Sequence, residues 1–191
     1  MSPGDALVDV AERLTRRGVR FALVGGLAVS VRAEVRFTRD VDLAIAVDAD
    51  AEVEDLARDL TAEGFEVVAV IEQEEKRRLA IARLRSPSGI LIDLLAASSG
   101  IEREIVDAAL PAGDFGVPVA KAEHLLAMKV LSMREARLQD RIDAKSLLAV
   151  ASPDLVEVGR LLALIEARGF ARSQDLGAKL ATLLSDIAQE R

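Results

Sequence analysis

The stretch Leu23-Val24-Gly25-Gly26-Leu27-Ala28-Val29, followed by Arg36-Phe37-Thr38-Arg39-Asp40-Val41-Asp42-Leu43, decides how the rest of the chain is read. Residues 19–24 have strand character, Gly25-Gly26 makes a tight turn, and residues 27–33 continue as a short helix. The next strand has the clearest alternation in the chain. Val41, Leu43, Ile45 and Val47 share one face, and Asp40, Asp42, Ala44 and Ala46 share the other. Residues i and i+2 of a strand point the same way, so Asp40 and Asp42 stand side by side. Two such carboxylates repel unless a cation lies between them, and oxygen donors of this kind suit Mg²⁺ together with substrate phosphates. The plainer alternative is a pair of solvated acids on the polar face of an edge strand. The two glycines let backbone amides at a helix start approach an anion, or they simply turn the chain. Arg36 and Arg39 either neutralise a triphosphate or pair with the acids. Phe37 is a core residue or a single stacking surface.

Outward from this block, the apolar residues Leu7, Val10, Ala11 and Leu14 predict a first helix, with Asp5 as its cap and Gly18 as its stop. A helix from Asp50 carries Val53, Leu56, Ala57 and Leu60 and ends at Gly64. Residues 65–70 read as a strand. Residues 79–85 and 90–95 flank Ser86-Pro87-Ser88-Gly89 and form a hairpin. Residues 101–110 read as a helix. Pro111, Gly113, Gly116 and Pro118 then mark a boundary. Beyond it the pattern is helical, over 122–137, 140–150, 154–168 and 175 to the end. The expected fold class is α/β (α+β): a mixed sheet flanked by helices, then a helical C-terminal lobe, divided at residues 112 and 113.

With 191 residues the chain has room for a substantial core. It has no cysteine, which excludes disulfides, thiolate metal sites and cysteine nucleophiles. His124 is the only histidine, which excludes any site needing two imidazoles. It is read as a structural residue on the helix surface or partly buried. Tryptophan and tyrosine are absent, so a broad platform for stacking bases is not expected. The net charge of −7 argues against a long, sequence-independent nucleic-acid footprint but leaves a local basic pocket open. The cluster Glu72, Glu74, Glu75, Lys76, Arg77 and Arg78 reads as a solvated loop. Residues 1–10 lack a basic segment followed by an apolar run, and the longest near-apolar run, 21–31, is too short to span a bilayer, so a cytoplasmic protein with no membrane partner is expected.

The Gly-Gly helix start followed by Asp40-Val41-Asp42 resembles the signature of the nucleotidyltransferase superfamily, in particular the group containing the toxins of type IV abortive-infection toxin–antitoxin systems. Small-molecule adenylyltransferases that inactivate antibiotics share that core signature. The resemblance implies a third carboxylate on a later strand, and Asp93 in Gly89-Ile90-Leu91-Ile92-Asp93-Leu94-Leu95 fits the place. An acid inside an apolar strand needs a partner or a metal, and the alternative partner is an arginine such as Arg83. The segment 117–129, ending at Lys129, then Arg134 and Asp140-Arg141-Ile142-Asp143, is similar to the toxin group's last two motifs. By this resemblance Lys129 contacts nucleotide phosphate, and either Asp140 or Asp143 supports the site. The plain readings are a solvated helix lysine and a helix-capping aspartate.

The resemblance implies two Mg²⁺ ions, with Mn²⁺ as a substitute, held by Asp40, Asp42 and Asp93. Lys129 joins these acids as the catalytic set. Gly25, Gly26, Arg36, Thr38, Arg39, Asp140 and Asp143 bind the nucleotide. It further implies transfer of a nucleoside monophosphate from an NTP to a hydroxyl of RNA, such as a tRNA 3′ end, or of protein, with Asp93 favoured to take the acceptor proton. A cognate antitoxin is an implied partner. The rival readings are an antibiotic adenylyltransferase and an inert nucleotide-binding module. The serine that often follows the first glycine is absent, so a hydroxyl contact to phosphate would come from Ser30 or Thr38. A tRNA would be gripped by Arg36, Arg39, Arg77, Arg78 and Arg134.

Overall fold

Ser2 caps the first helix, α1 (Pro3–Arg16), in a reciprocal capping box: its hydroxyl accepts from the Asp5 amide at 3.2 Å, and its own amide donates to the Asp5 carboxylate at 2.7 Å. Asp5, expected as the cap, is thus the third residue of the first turn. The structure, a computed structural model, describes residues 2–73 and 76–189. Of the expected acidic–basic cluster, Glu74 and Glu75 lie outside the described residues.

Strand β1 (Phe21–Val24) is wholly buried and runs directly into α2 (Gly25–Arg32), whose first residue is Gly25. There follow β2 (Val41–Ile45), α3 (Asp50–Ala62), β3 (Glu66–Gln73), β4 (Arg78–Arg85), β5 (Leu91–Leu95) and α4 (Glu102–Ala108). The β4–β5 hairpin forms as expected on Ser86–Gly89, with the Ser86 amide donating to the Ile90 carbonyl at 2.8 Å. Two short strands, β6 (Leu110–Pro111) and β7 (Pro118–Val119), occupy the stretch that its prolines and glycines mark as a boundary. They form because β7 pairs in parallel with β1, Leu23 beside Val119.

Among the described residues the strands make one seven-stranded sheet in the order β3-β4-β5-β2-β1-β7-β6. β2 is antiparallel to β1 and parallel to β5. That order creates a row across the sheet: Val24 faces Asp42, Asp42 faces Asp93, Asp93 faces Arg83, and Arg83 faces Ala69. Leu43, Ile45, Leu84, Ile92 and Leu94 are fully buried in the core together with Leu7 and Leu14 of α1. Truncating any one of these leucines to alanine removes on the order of 2–5 kcal/mol of stability.

Helix α5 (Ala122–Ser132) is buried on most of its circumference, packed against α2 and against α7 (Leu155–Ala167). It ends five residues before the expected 137, because Met133 turns to an extended conformation. Lys179 of α8 (Leu176–Gln189) then donates to the Met133 carbonyl at 2.8 Å, supplying positive charge at that helix end. Between them run α6 (Leu138–Ser146) and a π-helical turn (Leu147–Ala151). Asp140 sits inside the first turn of α6 and is not its cap. No described helix is long and apolar enough to cross a membrane.

Candidate active site

The site grows from the junction of β1 and α2. Gly25 has φ of +64°, and a Cβ there would overlap the Asp42 carboxylate. Only glycine lets the backbone bend this way with an acid pressed against it. A Cβ on Gly26 would meet Arg36 Nη2 at 2.6 Å and Thr38 Oγ1 at 2.9 Å. The space a side chain would need there is filled from the 33–40 loop. Ser30 is engaged within the backbone: it donates to the Gly26 carbonyl at 3.1 Å and accepts from the Arg36 amide at 3.2 Å. Of the two hydroxyls considered for phosphate, Ser30 is thus committed to the backbone, while Thr38 Oγ1 lies against the Gly26 turn.

A cleft of about 770 Å³ opens over this junction. Its lining brings together Gly25, Asp42, Asp93, Lys129 and Asp140 of the expected set. Asp42 and Asp93 are cross-strand neighbours on parallel strands. Burial and the adjacent Asp93 push the Asp42 carboxyl up to about 6, against a smaller opposing pull from Lys129. Asp93 is buried and clamped by Arg83, whose Nε and Nη2 donate to its two carboxylate oxygens at 2.7 and 2.6 Å. The arginine partner weighed for Asp93 is thus present.

Lys129 is not a solvated helix lysine. It is mostly buried and bridges both late acids, at 2.9 Å to Asp140 and 2.8 Å to Asp143. Asp143 is almost fully buried and also accepts from Arg36 Nη2 at 2.9 Å and Gln139 at 2.8 Å. Burial alone would raise its carboxyl, but the hydrogen bonds from Lys129 and Gln139 and the charge of Arg36 hold it below the usual carboxylate value. Arg36 therefore pairs with an acid of the helical half, neither with Asp40 or Asp42 nor in the cleft lining.

Several expected residues stand apart. Asp40 precedes β2 and does not line the cleft, although its charge reaches Asp42 and Arg83. Among the described residues no three acidic or imidazole side chains converge into a ready-made cage. Arg39 is exposed and lies over the Phe37 ring at 5.7 Å. Phe37 itself is 79% exposed, which corrects its core reading. Arg78 pairs with Asp50, and Arg77 is exposed outside the cleft. Of the five arginines expected to grip RNA, only Arg134 reaches the cleft, where it meets Arg137 and Arg172, which the sequence did not single out. Arg172 donates to the Ser98 carbonyl at 2.9 Å. His124 is buried with an unpartnered Nδ1, and burial holds its imidazole below the ordinary value. It lines a separate recess beside Glu104 and Glu157 and takes no part in the cleft.

The donor set suits a divalent cation at Asp42 and Asp93. Both ligands supply oxygens, they are adjacent across two strands, and Asp42 is buried beside a second acid, a setting in which a cation between the two would relieve both burial and repulsion.

A mixed sheet with paired carboxylates at a glycine helix start defines a class, and comparison with known proteins gives it a name. Solved structures sharing the fold include an antigenic nucleotidyltransferase-like protein from Paracoccidioides brasiliensis, with a TM-score of 0.55 at 22% identity over 94% of this chain and 92% of that one. The antibiotic-resistance factor ANT(2″)-Ia has a TM-score of 0.53 at 14% identity, covering 86% of this chain and 90% of that one. No curated protein matches the sequence. The family model of the nucleotidyl transferase AbiEii toxin of type IV toxin–antitoxin systems matches residues 13–188, and the chain belongs to that family. It is a nucleotidyltransferase, a transferase enzyme by family and fold.

Proposed function

We propose that this protein transfers a nucleoside monophosphate from an NTP to the 3′-terminal hydroxyl of an RNA, tRNA being the substrate of choice, and acts as the toxin of a pair with a cognate antitoxin. The observation that carries the reading is the row Asp42–Asp93 beside the Gly25 turn, facing Lys129 across one cleft. Asp42 and Asp93 would hold magnesium, with Asp40 at the margin of the site and manganese able to substitute. Two such ions supply activation of the acceptor hydroxyl and charge neutralisation at the pyrophosphate leaving group.

The chain's own groups do the rest. The start of α2, at Gly25 and Gly26, turns its positive dipole end toward the cleft, where the Gly26 amide meets the Asp42 carboxylate, and Thr38 adds a hydroxyl beside that turn. Lys129 sits on the helical wall as a fixed positive charge, held in place by Asp140 and Asp143. Arg36 acts from behind, locking the 33–40 loop to Asp143, so its role is to position and not to touch phosphate. Arg39 reaches the nucleotide only from the exposed loop. Asp93 takes the acceptor proton only through an oxygen that neither Arg83 nor a metal ion holds, because a carboxylate oxygen engaged by a guanidinium or a cation is a weak base. The acceptor's phosphates meet Arg134, Arg137 and Arg172 on the helical side of the cleft. Residues 1–112 act as the nucleotidyltransferase domain and 113–191 as the helical domain that closes the cleft. The reaction takes place in the cytoplasm, where NTP and tRNA are at hand.

The test is to incubate the protein with each labelled NTP, Mg²⁺ and total RNA, with Asp42→Asn as control. Label on tRNA that disappears in the variant supports the reading. Label confined to protein or to an added antibiotic overturns the RNA acceptor, and no transfer under any condition overturns the activity.

A further inference from the structure

We propose that Arg83 is a latch on the metal site: in the free protein it occupies Asp93 in place of a cation, and a nucleotide's phosphate draws it off. The inference rests on the nucleotidyltransferase reading of the Asp42–Asp93 pair and concerns how that site is kept closed.

Three observations lead to it. First, Arg83 and Asp93 are directly opposite on antiparallel strands, and the guanidinium takes both carboxylate oxygens at 2.7 and 2.6 Å. An ion asking for Asp93 must therefore displace a two-pronged, charge-assisted pair. Second, the row places this guanidinium where the carboxylates crowd. Asp93 is the next neighbour of Asp42, and the negative charges of Asp93, Asp40 and Asp42 all stabilise the arginine. Arg83 thus does electrostatically what a divalent ion would do there. Third, the latch can move. The Arg83 side chain is 37% exposed and lines the cleft, whereas Asp93 is 9% exposed and fixed in β5. On the other side of Arg83 stands Ala69, with Ile71 and Ile81 nearby along the cleft floor and Glu72 of β3 further along the same lining, and the acids that hold the guanidinium are Asp93, Asp40 and Asp42.

A guanidinium fork fits phosphate as well as carboxylate, so a triphosphate in the cleft offers Arg83 an equal partner with more charge. Transfer of the fork from Asp93 to phosphate frees two carboxylate oxygens at the moment the nucleotide arrives. Metal alone binds weakly, and metal with nucleotide binds as a unit. Arg83 is accordingly a positioning residue that acts through Asp93.

The test measures Mn²⁺ binding without nucleotide, by calorimetry and by the Mn²⁺ spin-resonance signal, on the wild type, Arg83→Gln, Arg83→Lys, Asp93→Asn and the Arg83→Gln/Asp93→Asn double variant. Removing the fork is expected to tighten Mn²⁺ binding roughly tenfold or more, the scale of one charge-assisted pair. Lysine, which keeps the charge without the fork, is expected to fall between. Asp93→Asn is expected to change Mn²⁺ affinity little in the wild type but to cancel the gain in the Arg83→Gln background. Arg83→Gln or Arg83→Lys with Mn²⁺ affinity equal to or below that of the wild type overturns the latch. If Arg83→Gln does not fold, Arg83→Lys alone decides. A wild type that binds Mn²⁺ with a non-hydrolysable NTP in an Asp42-dependent way, while neither Arg83 variant gains affinity, defeats the latch and leaves the nucleotidyltransferase reading standing. Failure of every form to bind Mn²⁺ with or without that nucleotide defeats both.

Discussion

At the scale of single residues, Asp42 is the most informative. Its carboxyl is raised from 3.8 to about 6 in the folded chain, so the native state holds that proton more tightly than the unfolded state does. Between those values stability falls as pH rises, the reverse of an ordinary salt-bridged aspartate. His124 works against this in the same window: its buried imidazole is lowered, so the unfolded chain takes up its proton first as pH drops. The comparison that isolates Asp42 is therefore with its own variant. Asp42→Asn is expected to melt higher than the wild type at pH 7.5, by up to about 3 kcal/mol of stability, with the gap closing toward pH 5. Melting curves across that range check the sign. Lys129→Ala carries an equally specific expectation. It leaves Asp143 with Arg36 and Gln139 and leaves Asp140 with the more distant Arg137, so it is expected to cost about 2 kcal/mol as well as weakening NTP binding. Denaturant titration and nucleotide calorimetry on the same preparation separate the two effects.

At the scale of elements, the site depends on how a loop and two helices are tied. The 33–40 loop carries Arg36 and Thr38 to the first turn of α2, and it is held by the Arg36 pair with Asp143 and by the Glu34 amide on the Ser146 hydroxyl at 3.2 Å. Asp143→Ala is expected to release the loop from α6 and to destabilise the fold by about 3 kcal/mol, because Lys129 and Arg36 lose their buried anion together. Faster amide exchange at residues 33–40, with the β4–β5 hairpin unchanged, is the signature. Gly25→Ala is expected to fail differently. At φ of +64° with Asp42 against it, a methyl group pushes the carboxylate out of the row, so activity falls by more than stability does. Activity assays beside melting curves distinguish the two losses.

At the scale of the whole molecule, the charge distribution decides what the acceptor meets. The chain carries −7 overall, yet the helical wall of the cleft presents Lys129, Arg134, Arg137 and Arg172. RNA is thus expected to be held by a short contact with few phosphates, giving a shallow salt dependence compared with a protein that coats nucleic acid. Arg134→Glu with Arg137→Glu is expected to reduce labelling of RNA at least about tenfold, as two phosphate contacts reversed in sign would, while Arg77→Glu with Arg78→Glu leaves it near the wild-type level. Rates measured at two salt concentrations for each variant check this assignment of the gripping residues.

The amino-acid sequence by itself determined the elements that local chemistry specifies. The alternation of β2 placed Asp42 toward the site face, the Gly25-Gly26 pair marked the strand-to-helix junction, Ser86–Gly89 made the hairpin, and an acid in the apolar run of β5 marked Asp93. Each of these follows from spacing along a few residues. Tertiary structure alone decided the rest. Arg83 was already a candidate partner for Asp93 across the hairpin, but that Asp93 neighbours Asp42 depends on β5 and β2 standing side by side. That Arg36 meets Asp143, 107 residues further on, depends on α6 docking over the 33–40 loop. The same docking made Lys129 a buried clamp, and packing of α5 against α7 buried His124, while Phe37 was left 79% exposed on a loop with no apolar face to join. Spacing along a chain fixes which way a side chain points from its own element, but the partner across the gap is set by how remote elements pack, and no local pattern encodes it.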